Sequence, residues 1–262
     1  MKKIRLLIVL LGLCINAQAA EVLNIAVASN MSHAFTQIAD IYEERSNSKI
    51  RLSVGSSGNF TRQIIQGAPY KIFLSAGTSY IDMLRKNGVS LIADVEYARG
   101  RIGFFIPHNS TLNQNNNLDG IIKKLFHGHY ARLVIPNPEH APFGLAARQA
   151  LQTGGIWALN RKKLLPAENA AQATQIAISG NVDAGIIPAS HALLPEVSEK
   201  GQFILIPENW HEPLQQHLVL LAGANKSESV FFDFLRKDTA LKIVSHFGYT
   251  LGTEKFDGLA IP

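Results

Sequence analysis

Leu23-Asn24-Ile25-Ala26-Val27-Ala28-Ser29-Asn30 is the stretch that decides the fold. A short apolar run ends on a hydroxyl and an amide. The period then changes, with Ala34, Phe35, Ile38, Ile41 and Tyr42 at i, i+3, i+4, i+7 spacing. That is a strand, a polar turn and an amphipathic helix. The same unit follows twice. Lys49 to Val54 reads as a strand, Gly55-Ser56-Ser57-Gly58 as a tight loop and Phe60 to Gln66 as a short helix ending at Gly67. Ile72 to Ala76 is a third strand, before a helix over Ser79 to Lys86 stopped by Asn87-Gly88.

The alternation resumes further along. Residues 101–108 and Arg132 to Ile135 read as strands, Pro136 to Pro142 as a loop, and Phe143 to Thr153 as an amphipathic helix. Ala170 to Ser179 is a helix, Ala184 to Ile187 a buried strand ended by Pro188, and Phe203 to Pro207 and His217 to Ala222 are late strands. A helical segment over Ser229 to Phe247, with Phe231, Phe232 and Phe234 as its core and Gly248 as C-cap, closes the chain. The Asn-rich stretch from His108 to Asn117 is a surface loop by composition. Strands alternating with helices predict an α/β fold with a mostly parallel sheet.

Composition narrows the class. At 262 residues, 47% hydrophobic and 17% charged, the chain is neither disordered, collagen-like nor a polytopic membrane protein. Lys2, Lys3 and Arg5 precede an apolar run, Leu6 to Ile15, too short to span a bilayer, and Ala17-Gln18-Ala19 supplies the small residues a signal peptidase needs. Residues 1–20 read as a secretory signal cleaved near Ala19 or Ala20, which places the mature chain in the bacterial periplasm. A lipoprotein signal retaining Cys14 is disfavoured by the bulk of Leu13. The single cysteine excludes a disulfide framework and a Cys-based zinc site. Three of the 25 Lys and Arg lie in the leader, leaving 22 against 20 acidic residues. No basic stripe with interleaved aromatics points to nucleic acid.

Four loops share a design, ending in small polar residues or glycine just before a helix: Ala28-Ser29-Asn30, Gly55-Ser56-Ser57-Gly58, His140-Ala141-Pro142-Phe143-Gly144 and Pro166-Ala167-Glu168-Asn169-Ala170. The first turn of a helix leaves N–H groups unpaired, and the macrodipole places partial positive charge there. Several such ends meeting in one crevice bind an anion without a cationic side chain, and the Ser29 and Ser57 hydroxyls can add donors. Each loop alone is more often a helix cap than a ligand site.

These residues carry a resemblance. Ala26-Val27-Ala28-Ser29-Asn30, Ser56-Ser57-Gly58 with Thr61-Arg62-Gln63-Ile64 and Gly67-Ala68-Pro69, Phe73-Leu74-Ser75-Ala76, Asn137 to Gly144 and Pro166-Ala167-Glu168-Asn169 together resemble the periplasmic molybdate-binding proteins of ABC importers, over about Leu23 to Leu251. The resemblance implies a two-lobed periplasmic-binding-protein fold of type II. Each lobe is then a mostly parallel sheet flanked by helices, with residues 21–101 and 222–262 in one lobe and 102–221 in the other. Two hinge strands, near 101–106 and 216–222, join them. It implies a monomer without cofactor or catalytic residue that captures molybdate, and tungstate, for an ABC transporter permease. Its ligand contacts would be Ser29 and Ser57 through hydroxyl and N–H, Phe143 and Ala170 through N–H, and Asn30 as a further donor. The chain departs from the family at Pro188, where many members carry a ligand Tyr, and at Gly77 and Lys71, where acidic residues are usual.

Rival readings have less support. His127-Gly128-His129, His211 and His217 are the clustered imidazoles, with no third ligand at recognisable spacing, and His140 is expected to pack or hydrogen-bond. A hydrolase lacks a Gly-x-Ser-x-Gly elbow, and neither phosphate-binding glycine fingerprint is present. A binding protein for sulfate or phosphate on the same two-lobed plan is the alternative within transport. Trp157 and Trp210 read as packing residues.

Overall fold

A strand that is apolar at every position has to be covered on both faces, and this chain builds two such sheets. The computed structural model describes residues 21–112, 117–128 and 130–252; residues 1–20, 113–116, His129 and 253–262 lie outside these. β1 (Glu21–Ala28), α1 (Ser32–Glu43), β2 (Ser48–Gly55), α2 (Ser57–Ile65), β3 (Ile72–Ser75), α3 (Thr78–Lys86) and β4 (Leu91–Gly100) come first. The chain then crosses to β5 (Ile102–Pro107), α4 (Leu118–His127), β6 (Leu133–Pro136), α5 (Pro142–Thr153), α6 (Trp157–Asn160), β7 (Leu164–Ala167), α7 (Ala170–Ile178), β8 (Ala184–Pro188), α8 (Ala189–Ala192), α9 (Pro195–Ser198) and β9 (Gly201–Leu205). It returns through 206–213 to β10 (Leu214–Leu221), α10 (Lys226–Leu235), α11 (Asp238–His246) and β11 (Thr250–Leu251). No helix among the described residues is long and apolar enough to cross a membrane.

One sheet has the order β11-β4-β10-β3-β1-β2 and the other β7-β6-β8-β5-β9. Both are mixed: β1 pairs in parallel with β2 and β3, and β6 with β7 and β8, while the remaining pairs are antiparallel. The parallel registers place the site. Ala28 lies opposite Gly55, and Pro136 opposite Ala167, so the loops after β1 and β2 leave one sheet edge together, as do those after β6 and β7 on the other sheet. Open α/β sheets bind ligands at such carboxyl edges.

Side-chain alternation fills both faces. Leu23, Ile25 and Val27 meet Phe35 and Ile38 of α1 and Phe231 and Phe232 of α10. Ala26 and Phe73 turn the other way, onto Phe60 and Ile64 of α2 and Ile81 and Leu84 of α3. In the second sheet Phe104, Ile135 and Ile186 pack on α4 and α5, and Phe105, Val134 and Ile187 on Ala173 and Ala177 of α7. Trp157 and Trp210 pack at the margin of the α4–α5 cluster, as expected.

Three features depart from the sequence reading. β10, expected in the second lobe, pairs with β3 and β4 in the first sheet. It belongs there because Leu218 and Leu220 face one core of that sheet and Val219 and Leu221 the other. The return crossover is therefore 206–213, upstream of the expected hinge strand at 216–222. β4 was not foreseen. The terminal helical segment is two helices, broken where Lys237 takes an extended conformation at φ −82°, ψ 155°.

Phe231 is fully buried between α1 and β1. Phe231→Ala should lower stability by about 3–5 kcal/mol in urea titration; a loss under about 1 kcal/mol would mean that this face is not the packed core described.

Candidate functional site

The five residues singled out in the loops, Ser29, Asn30, Ser57, Phe143 and Ala170, line one small cleft between the two carboxyl edges, with Ala28, Gly55, Ser56, Ala141, Pro142 and Asn169 completing it. No ionisable side chain is among these lining residues. Ser57 is wholly buried, and Ser29, Asn30, Phe143 and Ala170 are nearly so.

Local sequence sets each helix start. Pro142 occupies the first position of α5, where its missing N–H costs nothing. Gly144 lets that turn sit directly on the end of β6, because a Cβ there would lie 2.3 Å from the Pro136 carbonyl oxygen. Gly100, at the crossover, leaves room for the Phe143 ring, which a Cβ would meet at 2.9 Å. Asn169 caps α7 by accepting from the Gln172 N–H at 3.0 Å, and Ser56 caps α2 from Asn59. Ser56 is thus the cap, leaving Ser57 to face the cleft.

Hydrogen bookkeeping shows what the cleft offers. The Ser57 hydroxyl accepts from the Ala76 N–H at 3.0 Å, and the Ser29 hydroxyl from the Ala171 N–H at 3.3 Å. Neither donates to another described residue, so both protons are free for a ligand. The N–H groups of Ser57, Phe143 and Ala170 lie in first turns, where no intrahelical acceptor exists, and among the described residues no other acceptor takes them. The cleft is a set of donors with the positive ends of three helices behind it.

Asn30 differs from the expectation. Its side-chain amide donates to Gln216 Oε1 at 2.8 Å and to the Tyr249 hydroxyl at 2.9 Å, which uses both of its hydrogens inside the protein. Its carbonyl accepts from the Ser190 hydroxyl at 2.9 Å and lies 2.8 Å from the Tyr249 hydroxyl. The side chain therefore props the first loop from behind. His191, from α8, reaches the same loop. Its Nε2 lies 3.1 Å from the Ser29 carbonyl oxygen and its Nδ1 2.8 Å from the Thr174 hydroxyl. Burial first, then neighbouring His33, pushes its pKa down to about 4, against the opposing bond to Ser29. The imidazole is neutral at pH 7, donating from Nε2.

The model for bacterial extracellular solute-binding proteins matches residues 23–250. The chain belongs to that family. It is 30% identical over 246 residues to the molybdate-binding protein ModA of Rhodobacter capsulatus, covering 93% of each chain. Its fold matches the periplasmic molybdate-binding protein of Azotobacter vinelandii with a TM-score of 0.80 at 24% identity, covering 88% of this chain and all of that one. The sulfate-binding protein SubI of Mycobacterium tuberculosis shares the fold at a TM-score of 0.68 and 16% identity, over 87% of this chain and 86% of that one. The two-lobed α/β fold is thus that of solute-binding proteins, and the relatives are transport proteins rather than enzymes.

Within this solute-binding frame, sequence reasoning missed Ser190, His191, Gln216 and Tyr249. They arrive from α8, β10 and the turn before β11, remote in sequence from the loop they hold, and no local motif marks them. The rival metal site does not assemble: among the described residues no three His, Cys, Asp or Glu converge. His211 bonds the Glu212 carbonyl, His217 pairs with Asp94 at 2.7 Å, and His129 lies outside the described residues. His140 hydrogen-bonds as expected, with its Nδ1 3.1 Å from the Ser56 hydroxyl.

His191 makes stability depend on pH with a definite sign. Its folded pKa, about 4, lies below the unfolded value near 6.5, so the unfolded chain binds the extra proton between them and stability falls as pH drops through that window. The loss should approach roughly 3 kcal/mol by pH 4. His191→Gln keeps a donor for Ser29 and should flatten this part of the profile in urea titrations between pH 7 and 4; an unchanged slope would show that other groups carry it.

Proposed function

We propose that this chain captures molybdate, and tungstate with it, in the periplasm and delivers it to the permease of an ABC importer, acting as a monomer freed of its leader near Ala19 or Ala20. The observation that carries the reading is the donor-only, uncharged cleft: the hydroxyls of Ser29 and Ser57 and the N–H groups of Ser57, Phe143 and Ala170, contributed by four loops from two sheets. The likeness to molybdate-binding relatives supports it.

A tetrahedral dianion with no proton at neutral pH suits such a site, because every ligand oxygen is an acceptor. Phosphate carries a proton in part of its population, and the only acceptor capacity among these groups is the second lone pair of each serine hydroxyl. Sulfate has the same chemistry in a smaller ion, so size has to discriminate: buried donors left out of reach cost about 1–3 kcal/mol each. The ligand Tyr of many relatives is absent at Pro188. With the Asn30 amide engaged on Gln216 and Tyr249, the donor set rests on the two hydroxyls and the main chain.

Isothermal titration with molybdate, tungstate, sulfate and phosphate at fixed pH and salt tests this. The expected outcome is saturable one-to-one heat with the first two and silence with the others. Ser57→Ala removes one donor to a charged ligand and should weaken molybdate binding about 10- to 100-fold. Sulfate heat with molybdate silence would assign the site to the smaller ion, and silence from all four with folded protein would end the oxyanion reading.

A further inference from the structure

Around the mouth of the cleft, residues bridge the two walls, and of them only Ser56 also lines the ion site. From the start of α2 come Ser56, Gly58 and Asn59; from the loops before α5 and α7 come His140 and Glu168. The Gly58 N–H donates to the His140 carbonyl at 3.0 Å. The His140 ring places Nδ1 3.1 Å from the Ser56 hydroxyl and Nε2 3.6 Å from Glu168 Oε2. The other Glu168 oxygen accepts from the Asn59 side-chain amide, whose own oxygen accepts from Arg62. Gly58 is required by proximity: a Cβ there would stand 2.7 Å from the His140 oxygen and 3.0 Å from its Cα.

We infer that Asn59, Glu168, His140 and Gly58 form a latch that holds the walls together over a bound ion and sets its residence time without touching it. The inference rests on the oxyanion reading above. Its contacts join the start of α2 to the loops before α5 and α7, so the latch can form only when those walls have met, after the ion has entered. A contact made only in the closed form slows release and leaves entry unchanged. Glu168 is exposed and Asn59 half-buried, so their separate effects should be modest. The Gly58 contact is main chain against main chain and should matter most.

Stopped-flow exchange of molybdate reads this directly. Glu168→Ala and Asn59→Ala should each speed release about 3- to 10-fold with the association rate unchanged, and the double variant should release no faster than the worse single one. Glu168→Gln retains an oxygen for Asn59 and should stay within about 2-fold of the parent. Gly58→Ala should release at least 30-fold faster, as its Cβ collides with His140. The preference for molybdate over sulfate should not move in the Glu168 and Asn59 variants, since neither residue lines the site. Release at the parental rate, additive single effects, or an effect confined to association would overturn the latch. If the parent protein binds none of the four oxyanions, the ligand reading fails. The latch is then read by the distance between spin labels on the two lobes, which the Asn59→Ala/Glu168→Ala pair should shift toward separation; an unchanged distribution would overturn it.

Discussion

The N–H groups of Ser57, Phe143 and Ala170 open into one cleft, and the described residues supply no acceptor for any of them. Buried backbone donors are almost always paired, and an unpaired one costs on the order of 1–3 kcal/mol. A fold that gathers three such groups, together with two hydroxyls that each already accept one main-chain N–H, concentrates that cost in one place and makes it recoverable by anything that brings acceptors. The arrangement follows from register. Because β1 ends level with β2, and β6 level with β7, the helices that follow start side by side, and their first turns cannot satisfy themselves.

The lack of charge in the cleft is as informative as the donors. A lysine or arginine would attract every anion alike, whereas fixed dipoles reward only an ion whose oxygens reach all of them. The surrounding groups preserve this neutrality. His191 lies directly beneath the Ser29 carbonyl, and burial keeps it uncharged, so it steadies the loop by hydrogen bonding alone. Asn30, Gln216, Tyr249 and Ser190 do the same with neutral groups. The Glu168 carboxylate stays outside the lining and accepts from Asn59 instead.

The legible part of this molecule is what period and caps encode. The strand at 23–28, the loops after it and the helix starts at Phe143 and Ala170 could be read because apolar runs and small polar residues report local structure. β4 escaped because Asp94 and Glu96 break up its apolar run, from the face opposite Ala93, Val95 and Tyr97. The structure explains them, since Asp94 pairs with Arg85 and His217 and Glu96 accepts from Gln215. β10 was legible as a strand but not as a member of the first sheet, because a run apolar on both faces fits either sheet. The role of Asn30 was misread for a related reason: its partners Gln216 and Tyr249 are 186 and 219 residues away, beyond any local pattern.

Affinity and closure cannot be separated in this design. Ser29 and Ser57 stand on the first sheet and Phe143 and Ala170 on the second, so no single lobe holds a full donor set. Even the Ser29 hydroxyl is oriented across the divide, by the Ala171 N–H. An ion held by one wall gains only part of its hydrogen bonds, and the remainder come when the walls meet. On the oxyanion reading proposed above, the ion shifts the equilibrium toward closure by the difference between its full and partial donor sets, and by no more than that. An ion too small to reach both walls loses twice, once in unpaired donors and once in a cleft it cannot hold shut. Selectivity then follows from the span between two sheets, which makes it a property of the fold and its crossovers as much as of the residues that touch the ion.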